Sequence, residues 1–436
     1  MSYHLGYIGT GSGEHFPADT IANLDASGRP LRPVMDVQAL KAREKFFWYH
    51  PQGKNMWETF GALLLLDWAN PEERRYIVSL GEGNPRWYNL SELDLARTNG
   101  ITLEACDFAN SPATWSFKDL GFTSVISMAN WLGRIATERR VRKIAIPTQG
   151  NAGDSLVRYA IEAFQRRGNI DEVAVVAPRD TPKPIIGNIA AAAYEFPGKV
   201  HLKLLSDTGT IQEAGKVVSD AFVPWGFYNA STLKEPWRWA GKSAMGLRIA
   251  EARPQDGKPG WDVPEVVVYP VGGGTGLVGM WYAWQLLQDI GVLSAKRPRM
   301  IGVQSEATDP LVQAYERGAS DTAPVLAGRT ALTGLNVPGG VGHQEVLNIF
   351  YASGGGAVRV SDQTAFAAIR DIYRAKGVWF GTEGGATVAA LPQLIERGWV
   401  RQGDHVVVVN TGSLFKYYQY PEIEHLARET TCRMPS

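Results

Sequence analysis

The chain has 436 residues, 44% hydrophobic and 20% charged, and its 44 Lys and Arg balance 44 Asp and Glu. A protein of this length buries a large core and divides into two or three structural units, and without net charge it offers no field for nucleic acid or an anionic membrane surface. Cys106 and Cys432 have no metal-ligand spacing, and neither a secretory signal nor a membrane-length apolar run is present, so the expectation is a cytoplasmic protein without metal.

Residues 1–75, with scattered Gly and Pro and the aromatic cluster KFFWYHP, read as an irregular arm packing on the rest of the chain. Short β-branched runs then alternate with helical periodicity. The predicted strands are RKIAIP (142–147), EVAVVAP (172–178), KVHLKLLS (199–206), EVVVYPVG (265–272), RMIGVQSE (299–306) and HVVVVNTG (405–412). Between them, Phe122, Val125, Ile126, Ala129, Leu132 and Ile135 share one helical face, as do Leu156, Tyr159, Ala160, Ala163 and Phe164. This rhythm predicts an α/β fold of mostly parallel sheets flanked by helices. The polar, Pro- and Gly-rich stretch 251–265 reads as a surface loop.

Three segments lead from extended chain into a helix or turn: SFKD (116–119), TQGNAGDS (148–155) and PVGGGTGLVG (270–279). Ligands of α/β sheets collect at strand carboxyl ends and helix amino ends, so the three are candidates to converge on one anion or cofactor. A lysine at the start of a helix opposes the helix dipole, which makes Lys118 locally unfavourable and points to a task such as phosphate or Schiff-base chemistry. On its own, a Lys-Asp pair is more often a solvated surface pair. The glycine run would cradle a phosphate through backbone donors. It also contains Gly274, Gly276 and Gly279 in dinucleotide-fingerprint spacing, with Glu306 closing the next strand, so a nicotinamide-dependent oxidoreductase stays open here.

Taken as an ordered set, Ser-Phe-Lys-Asp, Gly-Asn-x-Gly, the poly-glycine turn and a closing Thr-Gly resemble the fold-type II pyridoxal-phosphate enzymes, and among them the threonine synthases. The resemblance extends through SLGEGN (79–84), AGKSAMGLRIAE (240–251), TEGGATVAAL (382–391) and VVVVNTGSLFKY (406–417). It implies two lobes with the cofactor between them: a large domain from 76–125 and 230–436, and a small mobile domain from 126–229. It also implies that Lys118 forms the Schiff base and moves protons, that Asn151 meets the ring oxygen, and that Gly272, Gly273, Gly274, Thr275 and Gly276 hold the cofactor phosphate. Thr411 would meet the pyridine nitrogen with a hydroxyl, leaving the ring a milder electron sink. Arg238 falls on a position where the family has a substrate-phosphate arginine, and Gln149 on a substrate-binding one.

The implied activity is a β,γ-replacement converting O-phosphohomoserine and water to threonine and phosphate, a cytoplasmic amino-acid-biosynthesis reaction of a homodimer. Departures qualify it. Gln149 and Ala152 stand where the family carries hydroxyls, Leu120 replaces an arginine, and the arm has the length of a four-cysteine zinc ribbon but no thiols. Substrate contacts therefore diverge more than cofactor contacts. That leaves β-replacement on O-phosphoserine, as in cysteate synthases, or dehydration of a hydroxy amino acid, as the alternatives within the resemblance. A non-catalytic binding protein is disfavoured, because Lys118 and the glycine turn are intact.

Overall fold

A computed structural model describes residues 3–43, 48–134, 140–166, 168–252 and 260–417. Cys432, Ile135 and the tip of the polar loop, 253–259, lie outside the described residues. Two sheets organise the chain. The larger has six strands in the order Gly356–Val360, Arg299–Ser305, Val266–Pro270, His405–Asn410, Thr102–Asp107, Arg86–Asn89, all parallel except the last pair. The smaller has Val200–Leu204, Glu172–Ala177, Lys143–Pro147 and Phe227–Asn229, all parallel. The small-sheet strands all fall within 126–229 and the large-sheet strands outside it.

Helices cover both faces of the large sheet, which is why its inner strands are apolar without alternation. All five residues of Val266–Pro270, and all of His405–Asn410 but the first, are buried. The helix Lys118–Leu132 runs between the lobes, packed against Asn151–Gln165 and Pro236–Ala250. Its periodicity predicts one apolar face, yet every residue after Lys118 is buried. Its polar face finds partners inside: Thr123 Oγ1 accepts from Trp57 Nε1 at 2.8 Å and donates to the Val78 carbonyl at 2.6 Å, and Ser127 Oγ accepts from Val78 N at 2.9 Å.

The arm is less irregular than its composition suggests. His4–Gly9, His15–Pro17 and Leu31–Met35 form an antiparallel sheet, whose last strand packs on the helix Pro236–Ala250. Tyr7 fixes it there by accepting a hydrogen bond from Trp237 Nε1 at 2.9 Å. The polar stretch 251–265 is not loop throughout, since Glu251–Ala252 pairs with Gly260–Trp261. No described helix is long and apolar enough to cross a membrane. Among the described residues, no group of His, Cys, Asp and Glu is placed to hold a metal ion.

Candidate active site

Five loops leave the carboxyl ends of parallel strands and enclose a cavity of about 290 Å³ between the lobes. They carry Lys118, Thr411 and the glycine turn from the large sheet, and Asn151 and Lys234 from the small one. This is the position that open α/β sheets reserve for ligands. The charged side chains lining the cavity are Lys118, Lys234 and Glu383.

Lys118 is the first residue of its helix, and the loop before it is sewn to the end of strand His405–Asn410. Phe117 N donates to the Thr411 carbonyl at 3.0 Å, and Ser116 bridges to Gly412. Asp119, which the sequence favours as half of a surface pair, is instead fully buried. Its carboxylate accepts from Ser111 Oγ, Thr114 N, Thr114 Oγ1 and Ser155 Oγ at 2.6–3.0 Å. One carboxylate thus shapes the lysine loop and ties it to the helix Asn151–Gln165. The Lys118 amine lies half-buried in the cavity wall, and burial pushes its pKa down to about 8, aided by the Arg238 charge and opposed by Glu383. Below it Lys242, also buried, donates to the Phe117 carbonyl and lies 3.6 Å from the Phe117 ring centroid. Burial holds the Lys242 amine well below the usual lysine range.

The opposite wall fits a phosphate. Gly274 adopts φ 85°, and the helix Thr275–Asp289 that begins after it has no side-chain cap, so this helix start can receive an anion beside the Gly276 amide, which meets the Tyr269 hydroxyl. Thr275 Oγ1 is buried there without a partner. Side chains would fill the cradle: a Cβ on Gly272 would come within 2.4 Å of the Gly334 carbonyl, and one on Gly276 within 2.2 Å of the Tyr269 hydroxyl. Asn151, first in its helix, donates Nδ2 to the Tyr417 hydroxyl at 2.8 Å, while its Oδ1 is another buried orphan. Unmet buried polar groups are costly, and both of these belong to residues that line the one cavity. Glu383 is buried beside them, accepting from Gly334 N at 2.7 Å and Thr382 Oγ1 at 3.1 Å. Burial raises its pKa, so it resists ionisation. Pyridoxal phosphate therefore fits these residues. Glu383 and Tyr417 both sit in segments that carry the family resemblance, but nothing in the sequence itself assigns either side chain to the site.

The two substrate candidates are placed differently. Gln149 lines the cavity, but its Nε2 donates to the Asp180 carboxylate at 3.0 and 3.1 Å, leaving Oε1 buried and unpartnered. It presents an acceptor, not the donors a carboxylate would need. Arg238 does not line the cavity, nor does it face solvent. It packs under the lysine helix against Gly121 and Phe122, with Nε donating to Glu235 Oε1 at 2.7 Å, both side chains buried. The dinucleotide spacing also has another explanation. Gly279 allows the helix Thr275–Asp289 to press on Lys242, where a Cβ would meet backbone at 2.8 Å, and Glu306 is exposed and outside the cavity lining.

Comparison with known proteins adds independent evidence. A family profile described as pyridoxal-phosphate dependent enzyme matches residues 80–412. The chain is similar to the threonine synthase of Methanocaldococcus jannaschii, 23% identical over 92% of this chain and 90% of that protein. It is also similar to the threonine synthase of Methanosarcina acetivorans, 26% identical over 78% and 76%. Among solved structures, the processed threonine deaminase isoform 2 from Solanum lycopersicum superposes with a TM-score of 0.59 at 17% identity, covering 79% of this chain and 83% of that one. Maize serine racemase gives 0.57 at 15% identity, covering 82% and 98%.

Proposed function

Because the chain belongs to the family of pyridoxal-phosphate dependent enzymes and has their fold-type II architecture, we propose that it is a lyase of the threonine synthase kind. It would convert O-phosphohomoserine and water to threonine and inorganic phosphate: the γ-carbon–oxygen bond to phosphate breaks, water supplies the hydroxyl at the β-carbon, and a proton ends on the γ-carbon. The observation that carries this reading is the half-buried Lys118 amine, with its pKa lowered to about 8, sharing one cavity with an uncapped glycine turn and an orphaned threonine hydroxyl. Similarity to threonine synthases over most of the chain supports the choice of reaction.

Bound pyridoxal phosphate supplies the electron sink that stabilises negative charge on the substrate carbons. The protein supplies the rest. Gly272, Gly273, Gly274, Thr275 and Gly276 would hold its phosphate. Asn151 would orient the ring from the small lobe, and Thr411 would meet the pyridine nitrogen. Lys118, which holds the aldehyde at rest, would then carry protons between substrate carbons; a pKa near 8 keeps both its forms populated for that work. Glu383, whose pKa burial raises, lines the same cavity and interacts electrostatically with Lys118.

One observation favours a second reading. Gln149, with its donors spent on Asp180, and Ala152 replace two hydroxyls, which favours a shorter substrate such as O-phosphoserine or a hydroxy amino acid. The test is to follow the visible absorbance of the cofactor-loaded protein while adding O-phosphohomoserine, O-phosphoserine and L-threonine, with phosphate and keto-acid release assayed in parallel. A spectral response with phosphate release on the first compound supports the reaction proposed. Turnover confined to either of the others replaces it.

A further inference from the structure

Of the three charged groups lining the cavity, Lys118 and Glu383 interact electrostatically with each other, and Lys234 is left without a task. Lys234 is half-buried, and among the described residues no carboxylate forms an ion pair with it. The loop that presents it is strained. Leu233 has φ 58°, a left-handed conformation that side chains other than glycine adopt at a cost. Strain of this kind persists where the surroundings over-determine it, and they do so here. The Leu233 side chain is buried so close to Gly342 that a Cβ there would meet it at 2.0 Å.

Both ends of the loop are also pinned. Asn23, from the amino-terminal arm, donates to the Asn229 carbonyl at 2.8 Å and the Lys234 carbonyl at 2.7 Å, and Asn229 Oδ1 accepts from Ser231 N at 3.0 Å. With Leu233 turned inward, its neighbours Thr232 and Lys234 line the cavity. Thr232 stands against the glycine turn, where a Cβ on Gly273 would come within 2.4 Å of its methyl group. Arg238, by contrast, lies outside the cavity lining with its Nε on the buried Glu235 carboxylate, and its unpartnered Nη2 is buried away from that space.

We propose that Lys234 is the specificity-determining residue of this site, binding the anionic tail of a phosphorylated amino acid. The inference deepens the function proposed above and rests on it. The cofactor's own phosphate has separate donors in the glycine turn and Thr275, so the cation that remains is available to a second dianion. A compact ammonium serves such a group as a point charge.

The test compares cofactor-loaded wild type, Lys234→Gln and Lys234→Arg. O-phosphohomoserine binding is read through the cofactor's visible absorbance, inorganic phosphate binding by calorimetry, and cofactor retention by dialysis. The expected result is that Lys234→Gln weakens O-phosphohomoserine and inorganic phosphate about 10-fold or more, raising KM with a smaller change in kcat, consistent with loss of a charge-assisted contact. Lys234→Arg should keep most of the affinity, while homoserine binding and cofactor retention stay as in wild type. Equal weakening of homoserine, unchanged phosphate binding, or loss of cofactor retention would each overturn the proposal, the last by giving Lys234 to the cofactor. Phosphate binding that depends on Lys234 in a protein inactive on O-phosphohomoserine would uphold the residue's role and sink only the reaction.

Discussion

The surroundings of Lys118 weaken its hold on a proton, and that shift is measurable. With its pKa near 8 against the usual 10.5, the folded apo-protein binds this proton less tightly than the unfolded chain. Below pH 8 both states are protonated and folding bears the cost of the poorly solvated charge; from about 8 to 10.5 that cost is relieved, so this group makes the apo-protein more stable as pH rises. The same shift predicts that the rate at which apo-protein captures pyridoxal phosphate rises with pH and levels off above about 8, as read by stopped-flow absorbance. A midpoint near 10.5 would contradict it. Asp119 offers a second test at this scale. Asp119→Ala leaves three hydroxyls and a backbone amide buried without their acceptor and should cost about 3 kcal/mol by urea denaturation. That Lys118, Asn151 and Thr411 meet at one cavity is foreseeable from the ordered motifs that carry the family resemblance. The surroundings of Asp119 and Glu383 are not, since Ser155 and Gly334 are brought to them from distant segments.

At the scale of single elements, the glycine turn is a space-filling device as much as a flexible one. Gly272→Ala must displace the Gly334 carbonyl, and with it the loop that bounds the cavity. The expected outcome is a loss of cofactor affinity of about 10-fold, or ~1.4 kcal/mol, in a reconstitution titration. All six strands expected from β-branched runs are present within a residue or two at each end. Thr102–Asp107 and Gly356–Val360 escape such a reading because TLEACD and GAVRV place charges beside apolar residues and lack a continuous run. The helix Lys118–Leu132 is legible as a helix but not as a central one. Its serines and threonines mimic a solvent face, while the groups that satisfy Thr123 and Ser127 come from 57 and 78, far upstream.

Across the whole molecule, the first turn of the helix Asn151–Gln165 is where the lobes are joined. Asn151 bonds Tyr417, Ser155 bonds Asp119, and Asp154 accepts from the buried Lys416 amine at 2.6 Å. Lys416 also donates to the Thr114 carbonyl at 2.7 Å, so the closing loop grips both the lysine segment and the small lobe. Lys416→Met strands a buried carboxylate and should cost about 3 kcal/mol or more, whereas adding Asp154→Leu recovers much of it. Thermal denaturation of the three proteins reads the difference. Parallel sheets are foreseeable from the βαβ rhythm and two lobes from the family resemblance, but the joint is not, because residues 114, 119, 154 and 416 meet only in the folded chain. All of these loops converge on one amine, and the most direct test asks whether that amine carries the cofactor. Protein loaded with pyridoxal phosphate is reduced with borohydride, digested and sequenced by mass spectrometry. The account predicts the pyridoxyl group on Lys118 and none in Lys118→Ala; a label on Lys234 or Lys242 of the wild-type protein would contradict it.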